Sequence, residues 1–246
     1  MSATKPRFSN AEFLIATLGR LCDDAESFEI GNAMPIPASA ALLVHKRNGC
    51  VPRVSILGSI KHNRLFTGGI LEQYDLAGKG MLDVQFYGGG QIDQYGNINL
   101  VGVGEYPQSR VRFSGSFGTT LLYYTGRRTI LFVLEHSSRV LVPKVDYVSA
   151  AGISPPGVHR NGGPIALVTS KCVMDFDASR PGFTLRSVHP NISVEEVVES
   201  TGFKFQIAPD IGVTAEPTDE ELALLRGYVR QEVAEVYPNF AATAFF

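Results

Sequence analysis

The sequence predicts an α/β protein that opens on a helix and a βα unit, runs through a strand-rich middle and closes on helices. Three observations lead there: a capped helical stretch near the N-terminus, a series of short β-branched and aromatic runs through the centre, and two capping boxes in the last quarter. No internal repeat of fixed period occurs, and the Pro/Gly-rich stretches 154–157 and 161–164 read as surface loops. The chain is therefore taken as a single domain over residues 1–246.

Ser9-Asn10-Ala11-Glu12 is a capping box, and Phe8 before it is placed to staple onto Phe13; the apolar face continues through Leu14, Leu18 and Leu21, predicting a helix over 10–25. Residues 28–30 read as a strand, 31–37 as a loop broken by Gly31, Pro35 and Pro37, and the alanine-rich 38–45 as a helix. The runs 54–57, 84–87, 98–103, 111–113, 130–134, 140–142, 165–169 and 184–189 are bounded by Gly, Pro, Asn or Asp and predict strands. Ser193-Val194-Glu195-Glu196 and Thr218-Asp219-Glu220-Glu221 start two further helices, ending near Gly202 and before Pro238.

A chain of 246 residues, 44% hydrophobic and 19% charged, is long and apolar enough to bury a full core. Its formal net charge of −2 with dispersed Lys and Arg offers no basic stripe, so no nucleic-acid partner is expected. Cys22, Cys50 and Cys172 are odd in number and far apart, which argues against a disulfide framework and a thiolate metal site. No leader-like segment opens the chain and the longest strongly apolar run, 130–134, is far too short to span a bilayer; a soluble, unprocessed, cytoplasmic protein is expected. His45, His62, His159 and His189 are dispersed, and no His/Cys ligand spacing, nucleophile elbow, P-loop or dinucleotide fingerprint occurs, so no metal is expected.

The richest motif is Phe86-Tyr87-Gly88-Gly89-Gly90-Gln91-Ile92-Asp93-Gln94-Tyr95-Gly96-Asn97-Ile98-Asn99. Three glycines let a second backbone or a ligand come closer than a Cβ permits, and they equally suit a plain turn between strands. Asp93, Asn97 and Asn99 are expected, at least two of the three, to bond back onto their own turn. Glu135-His136 invites an acid/base reading, but neighbours in an extended chain point to opposite faces, so the pair is read as structural.

The words GGGQID and YGNIN resemble the signature of β subunits of class I CoA-transferases of the glutaconate CoA-transferase kind. Ser114-Gly115-Ser116-Phe117-Gly118, the 31–37 loop and the ending from His189-Pro190 to Thr201-Gly202-Phe203 resemble the same family, so the likeness covers almost the whole chain. It implies an open α/β fold, an α-subunit partner in an α2β2 assembly, and no cofactor beyond the CoA carried by the substrate. It also implies substrate contacts from Asn32, Met34, Gly88, Gly89, Gly90, Gln91, Ser116, Phe117 and Gly118. Phe117 stands where the family pattern has a small residue, so the turn reads either as an anion nest or as an apolar wall. Phe66, Phe86, Tyr87, Phe113, Phe117 and Tyr123 are pocket-wall candidates whose ordinary role is core.

In the family's transferases a Glu at the end of the strand before GGGQ attacks the thioester. Here the stretch from Val54 to His62 holds no carboxylate, and Ser59 is taken to stand at the lost nucleophile position. Such a departure resembles the β subunits of CoA-dependent hydrolases that open the last steroid ring in cholesterol breakdown, with the catalytic base expected from the partner. The rival readings are a transferase using Glu72 or Glu105, and a non-catalytic scaffold or effector-binding subunit.

Overall fold

The structure is a computed structural model that describes residues 6–63 and 70–246; Phe66 lies outside the described residues. In chain order the first elements are α1 (Asn10–Leu21), β1 (Ser27–Ile30), α2 (Pro35–Arg47) and β2 (Arg53–Ile56). The middle holds α3 (Ile70–Gly78), β3 (Val84–Tyr87), β4 (Gln91–Ile92), β5 (Ile98–Asn99), β6 (Gly102–Val103), β7 (Val111–Arg112), α4 (Thr119–Thr125) and β8 (Arg128–Phe132). Then come β9 (Gly163–Val168), β10 (Cys172–Phe176), β11 (Phe183–Val188), α5 (Val194–Ser200) and β12 (Gln206–Val213). The C-terminal run is α6 (Asp219–Leu224), a π-helical turn (Leu225–Val229), α7 (Arg230–Val233) and α8 (Pro238–Thr243). These elements pack as two compact units, one of residues 1–69 with 215–246, the other of 70–214.

In the first unit, the Ser9 box closes as expected: Glu12 N donates to Ser9 Oγ (3.0 Å) and Ser9 N to Glu12 Oε2 (2.8 Å), with the Phe8 and Phe13 rings stacked beside it. Pro35 starts α2, which is buried on every side from Ile36 to His45, so its small and aliphatic residues are a core helix rather than an amphipathic one. β1 and β2 pair in parallel, Ser27 opposite Arg53 and Ile30 opposite Ile56. Arg226, in the π-helical turn, donates to the fully buried Glu12 (2.7 Å), and Arg20 and Arg47 both reach Glu221 of α6, so the C-terminal helices are bound to the N-terminal ones.

The second unit is a mixed sheet in the order β12-β11-β10-β9-β8-β3. The β3–β8, β8–β9 and β11–β12 pairs are parallel, and β9–β10 and β10–β11 antiparallel. Its core gathers Ile92, Ile98, Leu131, Leu167, Met174, Phe183 and Leu185. Phe86 and Tyr123 are buried, so those two pocket candidates are core.

The expected strand 98–103 is two short strands because Asn99 Oδ1 accepts from Val101 N (2.9 Å) and Gly102 N (3.2 Å), turning the backbone between them. Residues 140–142 form only a bridge to Ile92. Ser193 caps α5 through Glu196 N, but the reciprocal half of its box is absent. Helices α3 and α4 and strands β10 and β12 had no clear sequence pattern; β12 is mostly exposed and carries Pro209 and Gly212, so it lacks the alternation that marks a half-buried strand.

Candidate functional site

In the first unit both loops that follow the parallel strands carry predicted site residues. After β1, Asn32 is exposed and Met34 half-buried, and Met34 N donates to the Tyr237 hydroxyl at 3.3 Å. After β2, the residue directly at the strand end is Leu57, and Ser59 lies two further on in a tight turn with Gly58 at φ +91°. Ser59 is buried, its Oγ donating to Glu235 Oε2 (2.5 Å) and accepting from His62 N (2.8 Å). Glu235 Oε1 accepts from Ile60 N (2.9 Å) and Lys61 N (3.2 Å). Some loss of water raises the Glu235 carboxyl, but the bonds from Ser59, Ile60 and Lys61 outweigh it and hold the group below the ordinary carboxylate range. Nearby on the same C-terminal run, Glu232 takes His62 Nε2 (2.8 Å) and lies 3.5 Å from Lys61 Nζ. Sequence reasoning missed Glu232, Glu235 and Tyr237, whose spacing on a capped helical run marks only a solvated face.

In the second unit the glycine triplet is a close-approach device. A Cβ on Gly88 would stand 2.9 Å from Phe132 O, one on Gly89 2.9 Å from Gln91 O, and one on Gly90 2.2 Å from the Phe113 ring. The polar residues that follow are consumed locally. Asp93 accepts from Tyr95 N (3.0 Å), Asn97 N (3.3 Å) and Asn97 Nδ2 (3.0 Å), and also from Val145 N. Asn99 Nδ2 donates to Gln91 Oε1 and Gly102 O, both at 2.7 Å, and Gln91 Oε1 also accepts from Asp146 N (2.9 Å). Gln91 is thus buried with its carbonyl oxygen shared between Asn99 of its own loop and the distant Asp146 N.

The Ser114–Gly118 turn differs. Gly115 sits at φ +98° and Phe117, a residue with a Cβ, at φ +44° and is 83% exposed. Tyr74 of α3 packs over Gly118 so closely that a Cβ there would meet its hydroxyl at 1.8 Å. Tyr74, Phe117, Gly118, Thr120, Leu121 and Tyr124 line a mainly apolar cavity of about 480 Å³. Phe117 as an apolar wall therefore has a surface to belong to, and Tyr74, Leu121 and Tyr124 join it without any signal in the sequence. A larger cavity of about 640 Å³, bordered by Arg127, Arg160 and Phe176, includes none of the predicted residues.

Glu72 lies in the first turn of α3, and Glu105 is exposed in the loop between β6 and β7. Glu135 is exposed and bonded to Arg139 (2.7 Å), whereas His136 is buried between Thr169 Oγ1 (2.8 Å) and Thr201 Oγ1 (2.9 Å). Burial, with Lys171 adding to it, lowers the His136 pKa to about 4, and burial pushes the neighbouring Cys172 thiol up to about 12. Both are structural groups, neutral at pH 7. Among the described residues no group of three or more His, Cys, Asp or Glu side chains could hold a metal ion, and no helix is long and apolar enough to cross a membrane.

Compared with known protein families, residues 45–200 match the family described as "Coenzyme A transferase". The chain belongs to the coenzyme A transferase family. It is 34% identical over 164 residues to the B subunit of 3-oxoadipate CoA-transferase from Pseudomonas knackmussii, covering 64% of this chain and 62% of that one. It is 29% identical over 248 residues to the B subunit of glutaconate CoA-transferase from Acidaminococcus fermentans, covering 89% and 91%. With the cholesterol ring-cleaving hydrolase IpdB subunit of Rhodococcus jostii it shares 36% identity over 146 residues, 56% of each chain. The crystal structure of IpdAB from that organism superposes with a TM-score of 0.76 at 25% identity, covering 92% of this chain and 99% of that one. The match thus spans somewhat less than two thirds of the first and third of these curated relatives and nearly all of the second.

Proposed function

We propose that the chain is the β subunit of a heteromeric CoA-thioester hydrolase that cleaves a ring C–C bond of a cyclic β-keto acyl-CoA in steroid catabolism. Its partner is a CoA-transferase-like α subunit in an α2β2 assembly in the cytoplasm, and it needs no cofactor beyond the CoA of the substrate. The observation that carries the reading is the absence of a carboxylate at the end of β2. Leu57 stands there, Ser59 is hydrogen-bonded into the turn, and among the described residues the carboxylates shown bonded to it, Glu232 and Glu235, are both engaged.

A glutamyl-CoA intermediate requires a free carboxylate at that place, and hydrolysis does not. A base on the α subunit takes a proton from water, and the hydroxide oxygen adds to the ring ketone. The bond between the former ketone carbon and Cα then breaks, its electron pair passing into the thioester as an enolate that is protonated at Cα. A new carboxylate is left at one end and the CoA thioester at the other. The aromatic and aliphatic cavity beside Phe117 suits an alicyclic acyl group better than a charged one.

The transferase names of two relatives favour a second reading, in which CoA passes to a free acid. Incubating the reconstituted complex with a cyclic β-keto acyl-CoA in ¹⁸O-labelled water separates the two. Hydrolysis places one solvent oxygen in the new carboxylate with no acceptor present. An absolute need for a free-acid acceptor, with ping-pong kinetics and no label, establishes transfer instead.

A further inference from the structure

The turn between α7 and α8 reaches both strand-end loops of the first unit at once. Tyr237 accepts from Met34 N after β1, while Glu235 takes the Ser59 hydroxyl and the Ile60 and Lys61 N–H groups after β2. Glu232 adds His62 and Lys61. The turn itself has few bonds of its own: Ser59 N donates to Ile56 O (3.0 Å) and Ile56 N to His62 O (2.6 Å). Its apolar side chain, Ile60, is 91% exposed and contributes no core packing. A tight turn with so little burial takes its shape from polar contacts, and three of those end on one carboxylate more than 170 residues away in sequence.

We propose that Glu235 is a positioning residue of the site: by accepting from Ser59, Ile60 and Lys61 it fixes the turn after β2 and so the direction in which Leu57, at the strand end, is presented to the substrate. The proposal rests on the reading that the end of β2 borders the acyl site. Glu235 is assigned to the turn rather than to the substrate because both of its oxygens already hold donors of its own chain, Oε1 the Ile60 and Lys61 N–H groups and Oε2 the Ser59 hydroxyl. Ligands in open α/β sheets gather at the carboxyl ends of the strands, which is where both braced loops lie.

The test compares E235A and E235Q in the reconstituted complex. A glutamine keeps an acceptor oxygen for the two backbone N–H groups and turns its amide toward Ser59 Oγ, so E235Q is expected to retain most of the wild-type kcat. E235A frees the turn and is expected to lower kcat by roughly 10- to 100-fold with KM changed far less, the scale of loss that follows from small misplacement of site groups. In the same samples, hydrogen exchange at the Ile60 and Lys61 amides is slow in wild type and E235Q and fast in E235A. Equal inactivation by Ala and Gln makes Glu235 a chemical base and overturns the proposal, as does wild-type kcat in E235A. Unprotected Ile60 and Lys61 amides in the wild type overturn it as well. The exchange result does not depend on the reaction catalysed, so a complex that transfers CoA rather than hydrolysing leaves the brace to be judged by the same two variants.

Discussion

The glycine-rich loop after β3 and the turn after β2 are both polar segments at the ends of parallel strands, yet they are held by opposite means. In the first, most partners lie within ten residues: Asp93 gathers Tyr95 and Asn97, and Asn99 gathers Gln91, Val101 and Gly102. In the second, the holding groups come from the far end of the chain. A loop satisfied by its own side chains is a stability element, since the bonds it loses strand donors that are buried or partly buried. One satisfied from outside is adjustable, because two carboxylates from the far end of the chain, Glu235 and Glu232, supply much of its bonding.

The sharpest way to break the contrast is Asp93→Ala. It leaves up to four donors without their acceptor, three part-buried and Val145 N buried, and at about 1–3 kcal/mol for a stranded buried group, less where water reaches, the expected loss is about 2 kcal/mol or more, read by denaturant or thermal unfolding. A loss below about 1 kcal/mol would mean the loop is not self-supporting. Glu235→Ala, by contrast, exposes its freed donors to water and is expected to change activity far more than stability.

Acid sharpens the same contrast, because the 70–214 unit depends on neutral buried groups. The folded His136 stays neutral to about pH 4, whereas in the unfolded chain an imidazole takes its proton near pH 6.5. The unfolded state therefore binds the extra proton between those values, and stability present above pH 6.5 is lost as pH falls toward 4. The expected loss is on the order of 3 kcal/mol, reinforced by His189, whose pKa burial also lowers. Unfolding midpoints measured across this range in wild type and His136→Gln check it; an equal slope in both assigns the acid response elsewhere.

The smallest effect is expected from Ser59→Ala. Removing one of the three donors to Glu235 leaves Ile60 and Lys61 in place, so kcat in the reconstituted complex should fall only a few-fold, whereas loss of a covalent nucleophile costs several orders of magnitude. Near-total inactivation with an intact fold would return Ser59 to the chemistry.

How much was legible follows from the range of the forces involved. Capping boxes at Ser9 and Thr218, the βα opening and the strands at β3, β8 and β9 are written in residues a few positions apart, and so is the self-bonding of Asp93 and Asn99. The family resemblance was legible because its words are local too. What the tertiary structure alone decided is which distant groups meet: Glu235 and Tyr237 on the loops after β2 and β1, Tyr74 over Gly118 in the cavity wall, and His136 between Thr169 and Thr201. Those contacts span from 33 to more than 200 residues and depend on how helices and strands pack, so a carboxylate on a helical turn reads as solvated until the fold brings a backbone to it.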